Sequence, residues 1–117
     1  MSWDVELRMP PCPTCGRSSV DVEYDGEFTY NYRPALEALG FPSNGELHGA
    51  KANDVTPAIS AALAKLLREP RKYGEMIRGG GEWGTADSLT VSLRDLLNAC
   101  LKYPGATIVV DGRPLPG

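Results

Sequence analysis

Three cysteines and the single histidine are the side chains in this sequence best suited to hold a metal or carry a nucleophile. Cys12 and Cys15 stand in the heptapeptide PPCPTCG, residues 10–16. A Cys-x-x-Cys pair supplies two of the four ligands a structural zinc needs. No second pair follows, so a closed site would have to borrow His48 and Cys100, or a carboxylate. The same pair could exchange a disulfide, but a reactive first cysteine is favoured at a helix N-terminus. Pro11 and Pro13 oppose a helix at that place. A third reading is a plain turn, with Gly16 making the reversal. Zinc at Cys12 and Cys15 is the one cofactor the sequence raises, and the bare turn stands beside it.

Nucleophilic chemistry has thinner support. Ser43, Ser60, Ser88 and Ser92 lack the nucleophile-elbow pattern around them. A pair of Cys15 with His48, oriented by Asp54, needs contact geometry that only a fold can supply. A small metal- or thiol-dependent enzyme built on Cys12, Cys15 and His48 is therefore the alternative reading, and no catalytic residue is assigned.

A binding site has more candidates. Tyr30, Asn31, Tyr32, His48 and Trp83 all fall in or near expected connections or strand ends. Aromatic walls with a few directed polar groups are what a small-molecule or peptide pocket requires. The stretch GGGEWGTADS, residues 79–88, has glycines ahead of a helix start but no Gly-Lys-Ser/Thr, and Glu82 and Asp87 would repel a phosphate. Thr85 capping the last helix explains it more simply. Lys65, Arg68, Arg71, Lys72 and Arg78 form a local basic cluster, yet acids stand among them and only Tyr73 interleaves. Nucleic acid is thus not an expected partner.

The elements that must position these residues can be read from periodicity. In WDVELRM, Trp3, Val5, Leu7 and Met9 alternate with Asp4, Glu6 and Arg8, which predicts a half-buried strand. SVDVEYDGEFTYNY alternates as well, and its Asp25-Gly26 pair predicts a hairpin turn. RPALEALGF reads as a short helix stopped by Gly40. Residues 42–54 read as a loop. A helix over about 55–68 follows, capped by Asn53, Asp54 or Thr56, with Pro57 confined to its first turn. Its buried stripe is Ile59, Ala62, Leu63, Leu66 and Leu67. Residues 71–84 read as an irregular connection. A last helix over about 86–102 turns Leu89, Leu93, Leu96, Leu97, Cys100 and Leu101 inward, and ATIVV is a closing strand before Asp111-Gly112. The fold class is α+β: a small antiparallel sheet of N-terminal strand, hairpin and C-terminal strand, packed against two longer helices and one short one.

At 117 residues with 42% hydrophobic content, residues 1–117 are expected to form a single domain with one mostly aliphatic core. Fifteen acids face twelve bases, for a net charge of −3. Residues 1–46 carry eight of the acids and three of the bases, while residues 47–81 carry three acids and six bases. A bipolar surface of that kind suits self-association as a homodimer, or an acidic partner. No apolar run is long enough to span a membrane. MSWDVELRM lacks the basic start and apolar stretch of a secretory signal, so a cytoplasmic location is expected.

FTYNYRPALEALG at 28–40, HGAKANDVTPAISAAL at 48–63 and EWGTADSLTVSLRDLLNACLKYPGATIVV at 82–110 carry a resemblance. They resemble a group of small uncharacterised actinobacterial and actinobacteriophage proteins with no established activity. The places that match are Thr29, Asn31, Gly49, Trp83 and Gly84, and the likeness covers most of the chain. It implies a shared fold, a phage-encoded protein in the host cytoplasm and attention to Asn31 and Trp83; it implies no mechanism. The function expected is that of a non-enzymatic binding or accessory protein, working through a protein surface or a small polar-aromatic pocket.

Overall fold

Strand β1, Ser2–Arg8, is the centre of the molecule. A computed structural model describes residues 2–9, 21–77 and 85–112. In it β1 is flanked by β2, Asp21–Thr29, and by β3, Thr107–Val110, in a three-stranded antiparallel sheet ordered β2-β1-β3. The alternation in β1 works as expected: Trp3, Val5 and Leu7 are all buried. Trp3 lies opposite Phe28, Val5 opposite Gly26 and Val110, and Leu7 opposite Ile108, so one face of the sheet is apolar across all three strands. The register slips between Glu6 and Arg8, where β1 pairs with the start of β2.

The turn expected at Asp25-Gly26 does not form. β2 runs through both residues without interruption. At Gly26 the Tyr24 ring lies over the backbone, its hydroxyl in the space a Cβ would take. Pairing with β1 through Glu6↔Asp25, Val5↔Gly26 and their neighbours outweighs a dipeptide's turn preference.

Helices cover the apolar face. A 3₁₀ turn, Tyr30–Tyr32, feeds α1, Arg33–Ala38, with Pro34 in its first turn and Gly40 at φ +77° after its end. The segment expected to be loop contains α2, Asn44–Leu47, started by a capping box in which Ser43 and Glu46 bond each other's backbone N–H. Helix α3, Ala52–Arg68, begins a turn earlier than the sequence indicates. None of Asn53, Asp54 or Thr56 caps it. The Ala52 N–H donates to the Ala106 carbonyl at 2.8 Å and the Asn53 N–H to the Pro104 carbonyl at 3.0 Å. Pro57 therefore falls in the second turn, not the first. The chain just past α5, Ala86–Lys102, thus caps the start of α3, and the two long helices pack antiparallel.

Helix α4, Pro70–Gly74, occupies part of the connection expected to be irregular, and Tyr73 anchors it in the core. Thr85 caps α5 as expected, with Ser88 completing a capping box. Ile59, Leu63, Leu66, Leu89, Leu93 and Leu96 form the helix side of the core, each contributing roughly 1.5–3 kcal/mol through burial. Two leucines assigned inward are not: Leu67 is 61% exposed and Leu101 60%. Both lie in the last turn of their helices, where the core stripe has rotated past them.

β3 has an edge that faces away from β1. The chain from Gly49 to Ala52 covers it. Gly49 N–H donates to the Ile108 carbonyl, Ile108 N–H to the Ala50 carbonyl, and Lys51 bridges Thr107. Among the described residues, the sheet edge without a strand partner is that of β2.

Candidate functional site

The sequence order Thr29-Tyr30-Asn31-Tyr32-Arg33-Pro34 builds one wall of a surface site. Thr29 caps the 3₁₀ turn, its Oγ1 accepting from the Asn31 N–H at 3.3 Å. That turn swings the chain from β2 into α1 and sets Tyr30 beside the end of β1. Trp3, the first inward residue of β1, then stacks on Phe28 with ring centroids 5.6 Å apart and tilts against Tyr30 at 5.2 Å. Phe28 in turn meets Phe41 at 6.2 Å and the edge of Tyr32 at 6.5 Å. These separations lie in the range where aromatic pairs attract. The Arg33 guanidinium sits 5.6 Å from the Trp3 ring and 5.5 Å from the Tyr30 ring, as a cation over both.

Beside this cluster opens a recess of about 230 Å³. Trp3, Leu36, Phe41 and Pro42 give it apolar walls, and Arg33, Glu37, Ser43, Asn44 and Glu46 give it a polar rim. A second recess of about 220 Å³, lined by Tyr30, Arg33, Pro34 and Glu37, adjoins it across the shared Arg33 and Glu37. One buried polar atom in the described residues lacks a partner, and it belongs here. The Trp3 indole Nε1–H has no acceptor, in a side chain only 2% exposed. An indole is a donor only. Leaving such a donor buried and unmatched costs roughly 1–3 kcal/mol, a cost a stability-optimised fold would avoid.

The residues singled out in the sequence are dispersed by comparison. Tyr30 lines the second recess. Asn31 is held in the 3₁₀ turn next to it. Tyr32 is buried, its hydroxyl 2.6 Å from Ser88 Oγ at the start of α5. His48 stands at the other side of the sheet, where its Nδ1 accepts the Val110 N–H at 3.0 Å and extends the cover over the β3 edge. Trp83 lies outside the described residues, as do Cys12 and Cys15.

Cys100 is buried within α5, and burial pushes its thiol from an ordinary 9.0 to about 11. It packs as a small apolar side chain. Among the described residues, no three His, Cys, Asp or Glu side chains gather to hold a metal ion. Nor, among those residues, is any helix long and apolar enough to cross a membrane.

The residues that sequence reasoning missed are Trp3, Arg33, Leu36, Glu37, Phe41 and Glu46. Trp3 reads as core because it alternates with Val5 and Leu7, and it reaches the 33–46 segment only through the sheet. The Ser43-Asn44-Gly45-Glu46 stretch did carry a signal, the spacing of a capping box that starts a helix and frames a rim. Set against known proteins, the chain matches no protein-family model, no curated protein and no solved structure.

Proposed function

We propose that this is a non-enzymatic binding or accessory protein whose working surface is the aromatic recess between β1, α1 and α2. The observation that carries this reading is the cluster of Trp3, Tyr30 and Arg33 that lines two adjoining recesses. The recess is smaller than the roughly 300–1,000 Å³ typical of small-molecule sites. Its size fits one side chain of a protein partner, with the adjoining recess taking another. Aromatic and arginine residues at its centre match the composition of protein-binding hot spots. Tyr30 and Asn31 belong to this surface, and Tyr32 supports it from beneath. The resemblance of residues 28–40, 48–63 and 82–110 to actinobacteriophage proteins supplies a setting, a phage-encoded accessory protein in the host cytoplasm.

The test is site-specific photo-crosslinking in the producing cell. A benzophenone side chain placed at the exposed Ser43 on the rim is expected to capture a discrete protein adduct. The same group at the exposed Asn98, on α5, serves as the comparison. An adduct lost when Glu37 is changed to Arg supports the reading; no adduct, or the same adducts from both positions, sinks it.

A further inference from the structure

We infer that the recess accepts a basic side chain, lysine or arginine, carried on an extended segment of a protein partner. The inference rests on the binding role proposed above and names the chemistry of the occupant. Arg33 and Glu37 are four residues apart on α1, a spacing at which an arginine and a carboxylate can reach each other. They do not pair here. Arg33 is drawn over the rings of Trp3 and Tyr30 instead. Among the described residues, the Glu37 carboxylate has neither an ion pair nor a hydrogen bond, although it faces both recesses. Glu46 stands across the first recess, with only one of its oxygens bonded to the Ser43 N–H.

The polar rim thus offers two carboxylates against one guanidinium that is already engaged. Behind that rim, Trp3, Leu36, Phe41 and Pro42 present apolar surface suited to a methylene stem. A long cationic side chain has this division of character, an aliphatic stem with a charged head. The adjoining second recess gives a neighbouring residue of an extended segment a place. An anionic ligand would meet Glu37 and Glu46, and a purely apolar one would leave them unanswered.

The probes are Nα-acetyl-lysine amide, its uncharged isostere Nα-acetyl-norleucine amide and Nα-acetyl-glutamate amide. Each is titrated against the full chain while the Trp3 indole N–H resonance is followed by ¹H–¹⁵N NMR. A Trp83→Phe variant assigns that resonance, so Trp3 itself stays intact. The lysine probe is expected to shift the Trp3 signal saturably and to bind at least fivefold more tightly than norleucine, with glutamate weakest. Glu37→Gln, an exposed change, is expected to reduce the lysine preference to less than twofold. Equal binding of lysine and norleucine, or a preference that survives Glu37→Gln, overturns the basic-residue inference while leaving a binding recess in place. No movement of the Trp3 resonance with any probe overturns the inference and the recess reading together.

Discussion

The Tyr32 hydroxyl and Ser88 Oγ, 2.6 Å apart, join the turn beneath the recess to the start of α5. Either hydroxyl can donate in that pair, and Ser88 Oγ also bonds the Thr85 backbone. Tyr32→Phe keeps the ring against Phe28 and deletes only that bond. A loss of about 0.5–1.5 kcal/mol is expected, read from the urea midpoint at unchanged slope. Cys100 makes a prediction of a different kind. Its thiol is raised from 9.0 to about 11 in the fold, so the folded state holds the proton more tightly than the unfolded chain does. That contribution is fully present below about pH 9 and is lost as pH climbs toward 11. Cys100→Ala removes it. The stability gap between wild type and Cys100→Ala, measured by denaturation at several pH values, is therefore expected to narrow between pH 9 and 11. A constant gap would contradict the desolvated thiol. These two side chains also mark what sequence can and cannot disclose. The burial of Cys100 follows from its place on an apolar stripe, whereas Tyr32 and Ser88 are 56 positions apart and nothing local announces that they meet.

At the scale of elements, the segment between α2 and α3 determines how the sheet is closed. Gly49 adopts φ +85° while donating to Ile108, a backbone conformation that a Cβ disfavours. Gly49→Ala is expected to cost about 1–2 kcal/mol and to raise hydrogen exchange at Ile108 more than in β1. Pro57 invites the opposite change. It sits in the second turn of α3, exposed, where it removes a helical N–H. Pro57→Ala is expected to stabilise the protein by about 1 kcal/mol, the regained helical bond outweighing the freer unfolded chain. Calorimetry of the two variants checks both signs. The helix cores of α3 and α5 were legible because a 3.6-residue period over seventeen residues admits one reading. Their ends were less so. Thr85 announced itself as a cap by side-chain chemistry, but α3 is capped by carbonyls of Pro104 and Ala106, and backbone carbonyls have no sequence signature. The same physics hid the course of β2: Asp25-Gly26 has a local preference for a turn, and pairing with β1 overrode it.

For the molecule as a whole, charge placement governs how the unpaired edge of β2 behaves. Covering β3 with residues 49–52 leaves β2 as the exposed edge among the described residues. Exposed edges template pairing with another chain unless something opposes it. The sequence of β2 carries four acids, at 21, 23, 25 and 27. Two copies of β2 meeting edge to edge would bring the four acids of each strand together. Like charges directly opposed across strands destabilise the pair. The recess, by contrast, sits at the far end of β1, beside Trp3 and α1, and is unaffected by that repulsion. Association with a basic partner and resistance to self-pairing then arise from the same acidic bias of residues 1–46. The chain is accordingly expected to sediment as a monomer at low salt and neutral pH. Raising the salt screens the acids and is expected to increase any dimer fraction. It weakens binding of the lysine probe at the same time. Sedimentation velocity over a salt series, run beside the NMR titration, reads both trends. A stable dimer at low salt that dissociates as salt is added would mean that the copies meet through opposite charges, the acidic N-terminal half against the basic cluster of residues 65–72.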